Sequence, residues 1–247
     1  MIGIIAGTGF YDLPALSGRP SEEITNQFGT AKITRGRWND VDIAFLTRHG
    51  SDHSVPPQRV NYRANIKALK DLDLDYVIAV NVVGGVDPTL KPGDLQLIDD
   101  FVDFTSGREH TFFDGIQPEG VKHVDVMDCY DATVKDAMRK SAAHLGVALR
   151  EGGVYAGFNG PRFETPAEIR FAALAGATVV GMTGCPEVSL AKEAGLRYGA
   201  IAVVANPAAG LSDEPITTDE IGRVINEASQ RVVSIIEGAL PLLDAAK

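Results

Sequence analysis

Six short segments of this 247-residue chain hold the residue types that could do chemistry. The richest is Thr47-Arg48-His49-Gly50-Ser51-Asp52-His53. The planar guanidinium of Arg48 offers a fork of donors suited to phosphate oxygens. His49 and His53 lie too close together in a loop to form a helix stripe. No Cys or carboxylate completes a metal-ligand spacing there, and a solvated loop ion pair is the structural alternative. Gly7-Thr8-Gly9 and Asn81-Val82-Val83-Gly84-Gly85 are glycine turns after apolar runs. Such turns can aim backbone N–H groups at a phosphate or let a backbone approach a ligand closely, or they can be plain turns and bulges. A dinucleotide fingerprint fails, because Asp12 stands where Gly-x-Gly-x-x-Gly needs its third glycine. In Gly160-Pro161-Arg162-Phe163-Glu164-Thr165 an aromatic ring beside a carboxylate could stack on a flat base and accept its N–H, or simply begin a helix. Gly181-Met182-Thr183 and Asn206-Pro207-Ala208-Ala209-Gly210 complete the set; taken singly, each reads as core filler or a turn.

The elements that would position these segments follow from periodicity. Ile2–Ala6 is a short apolar strand, and Ala31–Arg37 and Val41–Thr47 alternate as a pair joined by a turn at residues 38–40. Strands are also expected at Tyr76–Val80, Leu95–Ile98, Val154–Ala156, Thr178–Gly181 and Ala200–Val204. Helical spacing covers Val60–Leu72, Ala132–Leu145, Ala167–Leu174 and Val188–Ala194. A last helix is announced by a Thr-x-x-Glu capping box at residues 217–220 and is expected to end at Leu240-Pro241. Strands alternating with helices imply an α/β fold around a mostly parallel sheet. Functional residues in such folds gather beyond the carboxyl ends of strands. All six segments follow strands, so one shared cleft explains them better than six unrelated turns.

Composition narrows the class. With 45% hydrophobic and 23% charged residues and no linker or repeat, the chain reads as a folded protein in which one large α/β domain fits as well as two small ones; the single domain over residues 1–247 is what the resemblance described below implies. No apolar run is long enough to cross a membrane, and the N-terminus lacks the basic region of a signal peptide. A net charge of −10 argues against a nucleic-acid partner. Cys129 and Cys185 make neither a disulfide framework nor a zinc site, which points to a reducing cytoplasm. Neither thiol stands in a Cys-His arrangement, and His110 and His144 read as surface histidines.

Together the segments resemble the trimeric purine nucleoside phosphorylases, and within them the 5′-methylthioadenosine phosphorylase-like branch. The stretches that carry the likeness are GTGFY at residues 7–11, RHGSDHSVPPQRVNYRANIKAL at 48–69, AVNVVGGV at 79–86, PGDL at 92–95, DFTSGREHTFF at 103–113, GPRFETPAEIR at 160–170, VVGMTGCPEVSLAKEAGL at 179–196 and IAVVANPAAG at 201–210. They follow the family's order along nearly the whole chain.

The resemblance implies a single α/β domain with a mixed, partly closed central sheet flanked by helices, assembled as a cytoplasmic homotrimer. It implies a pentosyltransferase that uses inorganic phosphate as co-substrate, with no metal or organic cofactor. By position, Thr8, Arg48, His49 and Thr183 match side chains that hold phosphate, and Val82 matches a backbone N–H contact. Met182 and His53 match sugar-side residues. His123 matches one lent to the neighbouring subunit. Phe163 matches the ring packed on the base.

The same comparison implies the base. Adenine-cleaving relatives carry an Asp-x-Asp pair where this chain has Asn206-Pro207-Ala208. Asn206 can donate to O6 or N7 and Glu164 can accept the N1–H of a 6-oxopurine, whereas Ala208 accepts nothing. Glu164, Asn206 and His49 are thus the expected catalytic set. At the 5′ position Thr218, with Ile221 one turn on, stands where relatives that use ordinary nucleosides carry a histidine, and a threonine could bond a 5′-hydroxyl or present its methyl to a thioether. The methylthio-like RHGSDH segment at residues 48–53 and His123 favour 5′-methylthioinosine, with inosine and guanosine next. The alternatives are a 5′-methylthioadenosine phosphorylase and, from another class, a non-catalytic nucleoside-binding module. Such a module would have no need to keep phosphate, sugar and base residues together. The failed glycine fingerprint argues against a nicotinamide dehydrogenase, and a dedicated phosphate pocket argues against a hydrolase.

Overall fold

Apolar runs and glycine turns of the sequence become strands and strand ends in the computed structural model, which describes residues 1–10, 13–50, 54–116, 118, 120–213 and 217–247. Nine strands are described: β1 Ile2–Ala6, β2 Glu22–Asn26, β3 Gly29–Trp38, β4 Val41–Thr47, β5 Tyr76–Gly85, β6 Leu95–Asp103, β7 Arg150–Gly157, β8 Val179–Gly181 and β9 Arg197–Pro207. The helices are α1 Tyr62–Asp71, α2 Ala132–Leu145, α3 Pro166–Leu174, α4 Gly184–Glu193 and α5 Thr218–Asp244.

The strands form one sheet in the order β2-β3-β4-β1-β5-β8-β7-β6-β9. β9 pairs back onto β5, so the last five strands close into a ring. β1 is parallel to β4 and β5, β5 to β9, and β7 to β6 and β8. β3 is antiparallel to β2 and β4, as are β8 to β5 and β6 to β9. The sheet is therefore mixed and partly closed rather than mostly parallel.

Helices cover both faces of the central strands. Ile2 and Ile4 of β1 pack in the cluster that holds α2 and α5, while Ile5 packs in the cluster that holds α1 and α4. A strand buried on both sides has no polar face to show, which is why β1 reads as a continuous apolar run. α5 is capped by Thr217, whose side chain accepts from the Glu220 N–H. It runs through Pro241 to Asp244, past the end expected from the sequence. Leu240 and Leu243 are completely buried. Burying two such side chains contributes roughly 1.5–3 kcal/mol each, which outweighs a proline penalty of about 3 kcal/mol.

Other boundaries move for similar reasons. β2 has no apolar pattern of its own; it is held by pairing with β3 and by hydrogen bonds such as Arg35 Nη2 to Glu22 at 2.7 Å. β5, β6, β7 and β9 extend beyond their apolar centres because backbone partners continue on the neighbouring strands. α3 opens with a full capping box between Thr165 and Glu168, and its first residue is Pro166. α4 contains non-helical backbone at Cys185 and Pro186, so its regular part starts close to the expected helix.

Candidate active site

One cavity of about 300 Å³ collects the ends of β1, β4, β8 and β9, the middle of β5, the loop after β7 and the first turn of α5. Its lining includes Thr8, Arg48, His49, Val82, Phe163, Glu164, Met182, Thr183, Asn206, Ala208, Thr218 and Ile221. Thr8 and Ile221, 213 positions apart in sequence, thus meet in one space. The volume lies at the small end of the usual range for ligand pockets.

At one end stand the groups suited to an anion. Arg48 follows β4, is 3% exposed, and continues the sheet by donating its backbone N–H to Ala6 O at 2.8 Å. Its Nη1 donates to Val80 O at 3.1 Å. That carbonyl is reachable because β1 pairs with β5 only as far as Ala79 and β8 joins only at Gly84, which leaves a gap along the β5 edge. Alternate strand residues direct their backbone groups to the same edge, so the Val82 N–H shares that gap. The register shift between Val83 and Gly84 against β9 bends the strand there.

His49 Nδ1 lies 2.8 Å from Val55 O, which fixes the ring. Gly7 is required beside it, since a Cβ at that position would sit 2.8 Å from His49 Cδ2. Thr183 is 9% exposed; Asn81 Nδ2 donates to its Oγ1 at 3.3 Å. The Tyr155 hydroxyl accepts the backbone N–H groups of Thr183 and Gly184 at 3.1 and 3.0 Å.

Arg48 is itself held from behind. Nε and Nη2 donate to the two carboxylate oxygens of Glu187 at 2.7 and 2.8 Å, and Tyr198 donates to the same carboxylate at 2.8 Å. Burial works against the Arg48 charge, but the Glu187 carboxylate outweighs it and holds the guanidinium above the usual arginine range.

The other end is built to meet a flat ring. Phe163 is 41% exposed at the cavity mouth. Arg162 is tied to Glu168 by two hydrogen bonds and to Phe163 O by one, which anchors the loop to the start of α3. Glu164 lies inside the loop, and its Oε1 is buried with no hydrogen-bond partner among the described residues. Burial pushes its carboxyl above the ordinary glutamate value; a hydrogen bond from its own backbone N–H and the Arg162 charge oppose the shift, and the Glu168 charge reinforces it. Asn206 Nδ2 donates one hydrogen to Pro207 O at 2.6 Å. Ala208 is buried and adds only a methyl group. Between the two ends lies Met182, whose Sδ would sit 2.3 Å from a Cβ at position 160; Gly160 supplies the space.

Two expected residues are not in this constellation. His53 lies outside the described residues. His123 is exposed on the irregular segment between β6 and α2 and does not line the cavity of its own chain. His110 and His144 are exposed and Cys129 and Cys185 are buried free thiols, as read from the sequence. Among the described residues, no group of three or more His, Cys, Asp or Glu side chains is placed to hold a metal ion. Among the described residues, no helix is long and apolar enough to cross a membrane.

Glu187, Asn81, Tyr155 and Tyr198 escape reasoning from the sequence. Two carry a visible signal: Glu187 is a carboxylate set between Cys185-Pro186 and Val188 in a short apolar stretch, and Asn81 a lone amide in an apolar strand. A buried polar group of that kind needs a partner. The tyrosines carry none.

The comparisons with known proteins supply the class that the fold alone does not. The sequence matches the Phosphorylase superfamily over residues 1–241, and the chain belongs to that family. It is 42% identical to the 6-oxopurine nucleoside phosphorylase of Pyrococcus furiosus, over 98% of this chain and 92% of the relative. It is 41% identical to a probable S-methyl-5′-thioinosine phosphorylase of Methanopyrus kandleri, over 96% and 90%. The methylthioadenosine phosphorylase of Schistosoma mansoni, solved with adenine, superposes with a TM-score of 0.91 at 32% identity, covering 99% of this chain and 91% of that one.

Proposed function

We propose that this protein is a purine nucleoside phosphorylase that cleaves a 6-oxopurine nucleoside with inorganic phosphate. The observation that carries the reading is the buried, unpartnered Glu164 Oε1 in the cavity that also holds Asn206 and Ala208. An ionised carboxylate there accepts the N1–H of hypoxanthine or guanine, and the free amide hydrogen of Asn206 serves O6 or N7. Adenine has a bare acceptor at N1, and the mismatch costs on the order of 1–3 kcal/mol. The P. furiosus and M. kandleri relatives, at 42% and 41% identity, both carry names of 6-oxopurine type, which supports the same assignment.

Phosphate sits among Thr8, Arg48, His49, the Val82 N–H and Thr183. The sugar lies against Met182, and the base stacks by Phe163. As the C1′–N9 bond breaks, the sugar gains positive charge and the bond electrons move onto the purine. A phosphate oxygen on the opposite face supplies the counter-charge and then bonds to C1′. The proton that phosphate loses on bonding to C1′ ends on the departing purine, so the products are a neutral free purine and a ribose 1-phosphate, which from 5′-methylthioinosine is 5-methylthioribose 1-phosphate. His49, Glu164 and Asn206 act by position and electrostatics: His49 on the phosphate, the other two on the departing base. Phosphate is a co-substrate, and the reading requires no metal or organic cofactor.

Thr218 and Ile221 line the cavity one turn apart on α5, where a thioether methyl would meet Ile221 and the Thr218 methyl. We therefore assign 5′-methylthioinosine as the substrate, ahead of inosine and guanosine. The resemblance to the S. mansoni methylthioadenosine enzyme supports the methylthio part of this reading and keeps the adenine analogue as its competitor.

The assembly is a homotrimer in a reducing cytoplasm. Two buried free thiols fit that compartment. The exposed apolar residues Val121, Val124, Val126 and Met127 flank His123 and suit a subunit contact that carries His123 to the neighbouring site.

The base assignment is tested by Asn206→Asp with Ala208→Asp. The pair should move the ratio of kcat/KM for methylthioadenosine over methylthioinosine upward by about tenfold or more, the equivalent of ~1.4 kcal/mol. An unchanged ratio in the folded double variant rejects the assignment.

A further inference from the structure

Arg48 has five N–H donors, and three are already used: two on Glu187 and one on Val80 O. The remaining two have no hydrogen-bond partner among the described residues, and Arg48 lines the cavity. We propose that Glu187 is a positioning residue for the anion site, clamping Arg48 from behind so that its two remaining donors meet phosphate at one fixed angle, with Tyr198 holding the clamp. This inference rests on the phosphorylase reading and extends it to residues that never touch a ligand.

Two features support the clamp. Glu187 and Arg48 are both 2% exposed in their side chains, so neither can trade the other for water. The Tyr198 hydroxyl occupies Glu187 Oε1 at 2.8 Å, which removes a swing of the carboxylate away from Arg48. The Tyr198 ring is in turn packed against Tyr130 at 5.9 Å between centroids.

The geometry has an electrostatic counterpart of opposite sign. Glu187 places a negative charge one guanidinium away from an anion. If charge alone governed binding, removing it would tighten phosphate; if orientation governs, removing it loosens phosphate. In Glu187→Gln the amide can accept one Arg48 bond but must turn its own N–H toward the other, so the guanidinium loses its fixed angle.

Isothermal titration of inorganic phosphate into the purified, assembled enzyme reads this directly, together with steady-state KM values for phosphate and for 5′-methylthioinosine. For Glu187→Gln we expect the phosphate Kd and KM to rise by about tenfold or more, while the nucleoside KM changes by less than about twofold. For Tyr198→Phe, which keeps the ring and both Arg48 bonds, we expect a rise of about two- to fivefold in the same parameters. Unchanged or tighter phosphate binding overturns the clamp. So does a nucleoside KM that rises in step with that for phosphate, since general distortion of the site would do this. If Glu187→Gln does not fold, Tyr198→Phe decides alone by the same criteria. Arg48→Ala separates the two levels. A wild type that neither binds nor needs phosphate ends the phosphorylase reading and the clamp with it. Loss of phosphate binding in Arg48→Ala beside unaffected Glu187 and Tyr198 variants ends the clamp alone.

Discussion

Glu164 and Asn206 face the base end of the cavity in different hydrogen-bonding states. Glu164 Oε1 has no partner among the described residues, whereas one Asn206 amide hydrogen is already committed to Pro207 O. The unpartnered group therefore has the most to gain from a ligand, and it is also the one burial has pushed to a higher pKa. The sign of the pH dependence follows. Above the elevated pKa the carboxylate accepts N1–H; below it the neutral acid donates instead, which suits the bare N1 of adenine. Cleavage of methylthioinosine should fall as pH drops through a midpoint above the ordinary glutamate value, and the ratio to methylthioadenosine should fall with it. Glu164→Gln should abolish this change in ratio. A pH profile of kcat/KM for both substrates checks this, and parallel profiles for the two would contradict it. The donor and acceptor types at positions 48, 49, 164 and 206 were legible from the sequence because side-chain chemistry is local. The groups behind them were not. Nothing in the sequence says that Glu187 lies behind Arg48, since the bond spans 139 positions and depends on the closed sheet.

Each element delivers its residue by ending or bending at the right place. β4 ends at Thr47 and hands Arg48 to the gap beside β5, and β8 ends at Gly181 and hands over Met182 and Thr183. Strands with dense apolar centres were read correctly at their cores. Their extensions were missed because pairing partners, rather than side-chain periodicity, set where a strand stops. β2 shows this most clearly, with Glu22-Glu23-Ile24-Thr25-Asn26 held by β3. α5 shows the converse, since burial of Leu240 and Leu243 carries it through a proline. The first turn of α5 also sets the 5′ contacts, because its Thr217 cap aims Thr218 and Ile221 at the cavity. Thr218→Val removes the hydroxyl and keeps the shape. It should raise the preference for methylthioinosine over inosine by about fivefold or more, as expected for one lost hydrogen bond of ~1 kcal/mol. Relative kcat/KM values measure this, and an unchanged ratio would contradict the placement of the 5′ group.

At the scale of the molecule the closed ring β5-β8-β7-β6-β9 is what brings Val82, Met182, Glu164 and Asn206 together. Alternation of strands and helices forecast an α/β sheet, yet the antiparallel β8 and the return of β9 to β5 follow from long-range pairing that no local pattern encodes. The mixed, closed sheet was available only through resemblance to a family. The surface makes its own statement: His123 is exposed beside an apolar stretch and apart from its own cavity. If it completes a neighbour's site, His123→Ala should lower kcat/KM by about tenfold or more while sedimentation still reports a trimer. A wild-type monomer with full activity would contradict this assembly.

The central claim is phosphate-dependent cleavage of a 6-oxopurine nucleoside. The most direct measurement is base release from methylthioinosine, methylthioadenosine, inosine and adenosine, each with and without inorganic phosphate. The account predicts release only with phosphate, faster for the two 6-oxo substrates, and fastest for methylthioinosine. Faster cleavage of methylthioadenosine would contradict the roles of Glu164, Asn206 and Ala208, and no phosphate-dependent release from any of the four would contradict the phosphorylase reading itself.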